Sequence, residues 1–261
     1  MRVAVVGIDG TGKTTVLRRI HETDDIAVVH AIRAHEDPAS PFAELSLALA
    51  DASASADALG TVHLKVAVLY LQLCLYGPAE RLATDRGRTV LADRHPLIDP
   101  LVYLPSFGRI EADGEPGADV EVWWRKQDRD AAHMVRDWLR TCAGTVNPWP
   151  LGAELLRLGT KSPQEILDRL SRQFGVTMPD GVLLLDLPVE QALRRTRERV
   201  RGSELHETTA FLSTARQRYD VVLDWLAEVQ PETVVRRIDC SDRSVDEVAE
   251  LIRDAVAFLA S

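Results

Sequence analysis

The consecutive residues Gly7-Ile8-Asp9-Gly10-Thr11-Gly12-Lys13-Thr14 satisfy the pattern GxxxxGK[ST] in full. Gly7, Gly10 and Gly12 let successive backbone N–H groups turn inward and cradle phosphate oxygens. Lys13 adds a mobile cation for the outer phosphates, and the Thr14 hydroxyl is placed to ligate the Mg²⁺ that accompanies them. An apolar stretch, residues 3–6, precedes the loop, and a helix-forming stretch, residues 13–21, follows it. Strand, loop and helix therefore agree, and the helix adds its positive dipole end. The expected nucleotide contacts are Asp9, Gly10, Thr11, Gly12, Lys13, Thr14 and Thr15, and the expected phosphate donor is Mg-ATP. A guanine-reading NKxD element is absent from the chain, and so is a long Walker B strand ending in paired acids.

A second constellation closes the apolar run 89–92 with Asp93-Arg94-His95. A carboxylate ending a buried strand beside a phosphate loop can hold Mg²⁺ directly or through water, which is the role expected of Asp93. Arg94 is expected to face the acceptor side of a transfer; the alternative is a structural ion pair at the strand end. Further on, Arg195 and Arg199 lie four apart and share one helical face, and Arg201 follows where Gly202 should end that helix. Phosphoryl transfer spreads charge over the γ-phosphate oxygens, so convergent guanidiniums suit it. A solvated basic helix is the other reading of these arginines.

These residues carry a family resemblance. The pattern Gly-x-Asp-Gly-x-Gly-Lys-Thr-Thr over residues 7–15 resembles thymidylate kinases, and Asp93-Arg94-His95 matches their Asp-Arg-Tyr/His element. Asp93-Arg94-His95-Pro96-Leu97 followed by Leu101-Val102-Tyr103 is similar to herpesvirus-type thymidine kinases. Leu187-Pro188 with Arg195, Arg199, Arg201 and Glu204 is similar to the lid of those enzymes. The resemblance covers residues 1–104 and 180–260. It implies a deoxynucleoside or nucleotide kinase whose lid arginines close on ATP, with Glu204 accepting from a sugar 3′-hydroxyl. It also implies that the turn over residues 238–244 contacts the adenine.

The acceptor is drawn from residues 33–38 and from Gln72. A nucleoside kinase needs a carboxylate to deprotonate a 5′-hydroxyl, and both Glu36 and Asp37, the latter before Pro38, qualify. A monophosphate acceptor needs an arginine instead, and Arg33 is present. Gln72, in an apolar helix ahead of Pro78, matches the herpesvirus-type pattern and can pair with a base edge. The three acceptor features, residues 33–38, Gln72 and Glu204, lean toward a nucleoside. Asp9 and Arg33 keep the nucleotide alternative, and a non-catalytic ATP-binding regulator is a third reading.

The elements that must position these groups follow from periodicity. Short β-rich runs over 3–6, 26–32, 89–92, 182–187 and 233–238 have the apolar character of strands buried on both faces. Helical stretches alternate with them over 13–21, 61–85, 189–199, 208–229 and 245–259. This predicts an α/β P-loop NTPase fold, a five-stranded parallel sheet flanked by helices, as one domain over 1–261. An inserted, mostly helical segment at about 105–179 interrupts it, with a loop over 108–119 and helices over about 120–140 and from Ser162. Trp123, Trp124, Trp138 and Trp149 fall there and read as a small separate core, or as a lid or homodimer face.

Composition narrows the partners. Net charge is −9 and the pI about 5.3, which disfavours nucleic acid and anionic membranes. No apolar run is expected to reach the roughly 18 residues of a membrane span, and no leader is evident, so a cytoplasmic location is expected. Cys74, Cys142 and Cys240 show no metal or disulfide spacing.

Overall fold

The structure, a computed structural model, describes residues 1–85, 87–108, 119–197 and 209–260. It begins with β1 (Arg2–Val6), α1 (Lys13–Thr23), β2 (Ala27–His30), a 3-10 turn (Ala34–Glu36), α2 (Ala43–Leu59), α3 (Val62–Leu73) and α4 (Tyr76–Thr84). Next come β3 (Val90–Asp93), α5 (Asp99–Gly108), α6 (Asp119–Lys126), α7 (Arg129–Ala143), α8 (Pro148–Leu158) and α9 (Pro163–Phe174). The chain closes with β4 (Gly181–Asp186), α10 (Val189–Arg197), α11 (Thr209–Val229), β5 (Val234–Asp239) and α12 (Val245–Leu259). Two compact units result. The first comprises Met1–Val29, Glu80–Val102 and Val176–Ser261, and the second His30–Ala79 and Tyr103–Gly175.

In the first unit the strands form one parallel sheet in the order β2-β3-β1-β4-β5. The central β1 pairs with β3, Val5 opposite Asp93, and with β4, Val6 opposite Leu184. This register brings the end of β1, where the glycine loop starts, level with the end of β3, where Asp93 stands. Residues of β1, β3 and β4 are almost all fully buried, as the continuous apolar runs demand. The edge strand β5 departs from that expectation: Val234 and Asp239 are exposed, because one side of the strand has no neighbour. Arg236 covers the Phe258 ring at 3.8 Å and Arg237 pairs with Asp220.

The second unit is helical. Trp123 is fully buried and donates its indole N–H to the Ala52 carbonyl at 2.8 Å, and Trp138 donates to the Leu71 carbonyl at 2.9 Å. Trp149 stacks on His63 at 4.1 Å between ring centroids. The tryptophans therefore build a core shared with α2 and α3, not one belonging to the inserted segment alone. Buried Lys65 is satisfied by Asp57 at 2.6 Å and Ser53 at 3.0 Å.

Several expected elements are revised. The single helix over 61–85 breaks into α3 and α4, because Pro78 cannot donate to the Cys74 carbonyl. The stretch Val62–Thr84 is nevertheless long and apolar enough to cross a membrane, contrary to the expectation that no such run exists; 78% of its apolar window is buried inside the protein. The helix over 120–140 is split by Asp128, which caps α7 by accepting from Asp130 N–H at 2.9 Å. The capping box at Ser162 is present with Pro163 at the first helical position.

Candidate functional site

The phosphate loop joins β1 to α1. Gly10, at φ +90°, passes so close to α10 that a Cβ would lie 2.3 Å from the Ala192 carbonyl oxygen. Gly12 caps α1 with the same left-handed φ, leaving the helix N-terminus open toward the loop. Thr11 is buried and its hydroxyl donates to the Ile8 carbonyl at 3.0 Å, closing the turn on itself. Thr14 is half-buried, and Thr15 is exposed on α1.

Lys13 is buried. Its ammonium donates to the carbonyls of Gly7 at 2.7 Å and Ile8 at 2.9 Å, and to the Thr11 hydroxyl at 3.3 Å. Burial, then the neighbouring Arg94 charge, pulls its pKa down to about 8, against the opposing pull of Asp9, Asp93 and Asp99. An anionic phosphate at the loop would push that value back up.

Asp93, at the end of β3, accepts from the Thr14 hydroxyl at 2.7 Å. Hydroxyl and carboxylate oxygen together form a hard donor pair that fits Mg²⁺, which keeps most of its waters and leans on phosphate oxygens. No group of three His, Cys, Asp or Glu side chains able to hold a metal stands among the described residues. A cation here would rest on Thr14, Asp93 and the nucleotide.

Arg94 takes a left-handed backbone, φ +69°, rare for a side chain of its size. Its guanidinium donates to Asp9 in the loop and to Asp99 at 2.8 Å. Asp99 was not legible as a site residue; it also accepts from His95 N–H at 2.8 Å and from the Tyr219 hydroxyl at 2.9 Å. His95 is fully buried, and burial, then the Arg2 charge, lowers its pKa to about 3. It is therefore neutral, and with Nδ1 accepting from Leu97 N–H at 3.2 Å its proton sits on Nε2.

Arg195 lies half-buried on α10 in the same unit. Its charge reaches the turn after β5, where burial pushes the Cys240 thiol up to about 11 and Arg195 pulls the other way. That turn is the one expected to meet the adenine. Arg199, Arg201 and Glu204 lie outside the described residues.

The acceptor candidates Arg33, Glu36, Asp37 and Gln72 belong to the second unit. Arg33, Glu36 and Asp37 are half-buried around the 3-10 turn. Asp37 turns back on its own loop, accepting from Ala39 N–H at 2.9 Å. Gln72 on α3 is buried, and among the described residues none donates to its Oε1. A buried amide oxygen without a donor costs about 1–3 kcal/mol.

No family model matches the chain, and no curated protein matches it by sequence. Solved structures do match. A deoxyadenosine kinase from M. mycoides with bound dATP is 14% identical with a TM-score of 0.52, the match covering 98% of this chain and 99% of that one. Thymidylate kinase from Candida albicans is 13% identical with a TM-score of 0.52, covering 98% of this chain and 91% of that one. Sheet, loop and these two likenesses together show the fold as that of the P-loop NTPases.

Proposed function

We propose that the chain is an ATP-dependent kinase that phosphorylates the 5′-hydroxyl of a nucleoside or nucleoside-like small molecule. The observation that carries this reading is the convergence of Lys13, Thr14, Asp93 and Arg94 at the ends of β1 and β3. Likeness in fold to a deoxyadenosine kinase holding dATP and to a thymidylate kinase supports it. So does the motif resemblance to herpesvirus-type thymidine kinases at Gln72, Pro78 and Asp93-Arg94-His95-Pro96-Leu97.

In this reading the loop N–H groups and Lys13 hold the β- and γ-phosphates. Thr14 and Asp93 would hold Mg²⁺, which when bound neutralises phosphate charge. Arg94, Arg195, Arg199 and Arg201 balance the charge on the transferring group. Glu36 or Asp37 takes the acceptor's hydroxyl proton, the oxygen forms its bond to the γ-phosphorus, and the bridging bond to ADP breaks. Asp37 also accepts from Ala39 N–H within its own turn. Gln72 reads the base edge and Glu204 the sugar.

A thymidylate-type monophosphate kinase is the second reading, favoured by Asp9 and Arg33. Amide substitutions separate the two. One of Glu36→Gln and Asp37→Asn should cut kcat with a nucleoside acceptor by about 10² to 10⁴, the usual loss of a general base, while the other stays mild. Silence of both amides with a severe Arg33→Ala would transfer the assignment to the monophosphate kinase.

A further inference from the structure

The kinase reading gives Arg94 a role at the transferring phosphoryl group, but a long arginine side chain does not hold such a position unaided. Two residues outside every motif hold it. Asp99, the first residue of α5, presents a carboxylate that is 8% exposed and uses both oxygens. Oδ1 accepts from Arg94 Nη1 at 2.8 Å and from the Tyr219 hydroxyl at 2.9 Å, and Oδ2 accepts from His95 N–H at 2.8 Å. One carboxylate thus ties down both the guanidinium and the backbone just after it. That backbone needs support, since Arg94 sits at φ +69°.

An acid at a helix N-terminus is ordinary, and the dipole of α5 explains it. The dipole does not explain Tyr219. This residue comes from α11, is 1% exposed, and aims its hydroxyl at the oxygen that receives Arg94. Its neighbour Arg218 donates to the carbonyls of Leu101 at 2.9 Å and Val102 at 2.7 Å, so two consecutive residues of α11 fix the first turn of α5. On the opposite side of the guanidinium, Asp9 of the phosphate loop completes the clamp.

We propose that Asp99 and Tyr219 are positioning residues that hold the Arg94 guanidinium against the phosphate loop, so that α11 sets the geometry of phosphoryl transfer through α5. This rests on the kinase reading. Neither residue touches substrate. Without Asp99, Arg94 keeps the Asp9 contact and can rotate about it; without the Tyr219 hydroxyl, Asp99 Oδ1 keeps only the guanidinium it is meant to fix.

Tyr219→Phe keeps the packing and removes only the hydroxyl. It should lower kcat about tenfold with less than about a twofold change in the KM for ATP, the split expected of a contact that acts in the transition state. Asp99→Asn should lower kcat further, about 10²-fold, with Tyr219→Phe carrying the test if that protein does not fold. The discriminating measurement is a double-mutant cycle: in an Arg94→Lys background, Tyr219→Phe should cause no additional loss of kcat. Independent, multiplying losses would show a general packing role and overturn the proposal. Full activity of Tyr219→Phe would overturn it too, with the kinase reading intact. A wild-type chain that transfers phosphate to no nucleoside or monophosphate would overturn the kinase reading itself, and the positioning role with it.

Discussion

Lys13 shows how a loop keeps its cation ready before a ligand arrives. Three oxygens of the loop stand in for phosphate, yet burial still pulls the pKa to about 8. Bound phosphates favour the charged form and raise that value, so binding takes up a proton once the pH exceeds the free-state pKa. Nucleotide affinity should therefore be flat below about pH 7.5 and fall above 8, by up to about tenfold per pH unit. Titration calorimetry from about pH 7 to 9.5 checks this, and Lys13→Arg should flatten the profile because arginine does not titrate there. An affinity that stays level to pH 9.5 in the unsubstituted chain would mean the loop lysine does not meet the phosphates. The spacing of the loop and the Asp93-Arg94-His95 triplet were legible because each is contiguous. Asp99 and Tyr219 were not, because they meet Arg94 only after α5 and α11 have packed. Asp37 was readable as an acid but not as one engaged with Ala39.

Strands and helices were legible where they carry contrast. Apolar β-rich runs marked all five strands to within a few residues, and the Ser162 and Ser244 capping boxes fix the starts of α9 and α12. Helix α2 was missed because its buried face is made of Ser46, Ala48, Ala52, Ser53 and Ala56 with a single leucine, Leu49, so its two sides differ little in hydropathy. Helix α8 was missed because Pro148, Pro150 and Gly152 read as breakers. The prolines lie in the first turn, where no N–H is needed, and Asn147 caps the end by accepting from Trp149 N–H at 3.0 Å. Gly152 is there for contact: a Cβ would lie 2.1 Å from the His63 carbonyl oxygen of α3. Gly152→Ala should force α3 and α8 apart and lower stability by about 1–3 kcal/mol, read as a shift of the urea midpoint. An unshifted midpoint would mean that the two helices do not touch there. Since α3 carries Gln72, the same variant should also weaken acceptor binding.

At the scale of the whole molecule, an acidic chain of net charge −9 gathers cations at the phosphate loop and balances them with Asp9, Asp93 and Asp99. Of the candidate residues, Lys13, Thr14, Asp93 and Arg94 belong to the first unit, and Arg33, Glu36, Asp37 and Gln72 to the second. Their division was only partly legible, because the second unit joins residues 30–79 to the inserted segment through tryptophan contacts that span long stretches of chain. The proposed reaction is acceptor-dependent phosphoryl transfer from ATP. Its most direct test is ADP release from Mg-ATP, measured for the unsubstituted chain and Lys13→Ala against a panel of nucleosides and nucleoside monophosphates. At least one nucleoside should stimulate release and yield its 5′-phosphate, and a folded Lys13→Ala protein should lose both. ADP release that no acceptor stimulates, or that Lys13→Ala retains, would contradict it.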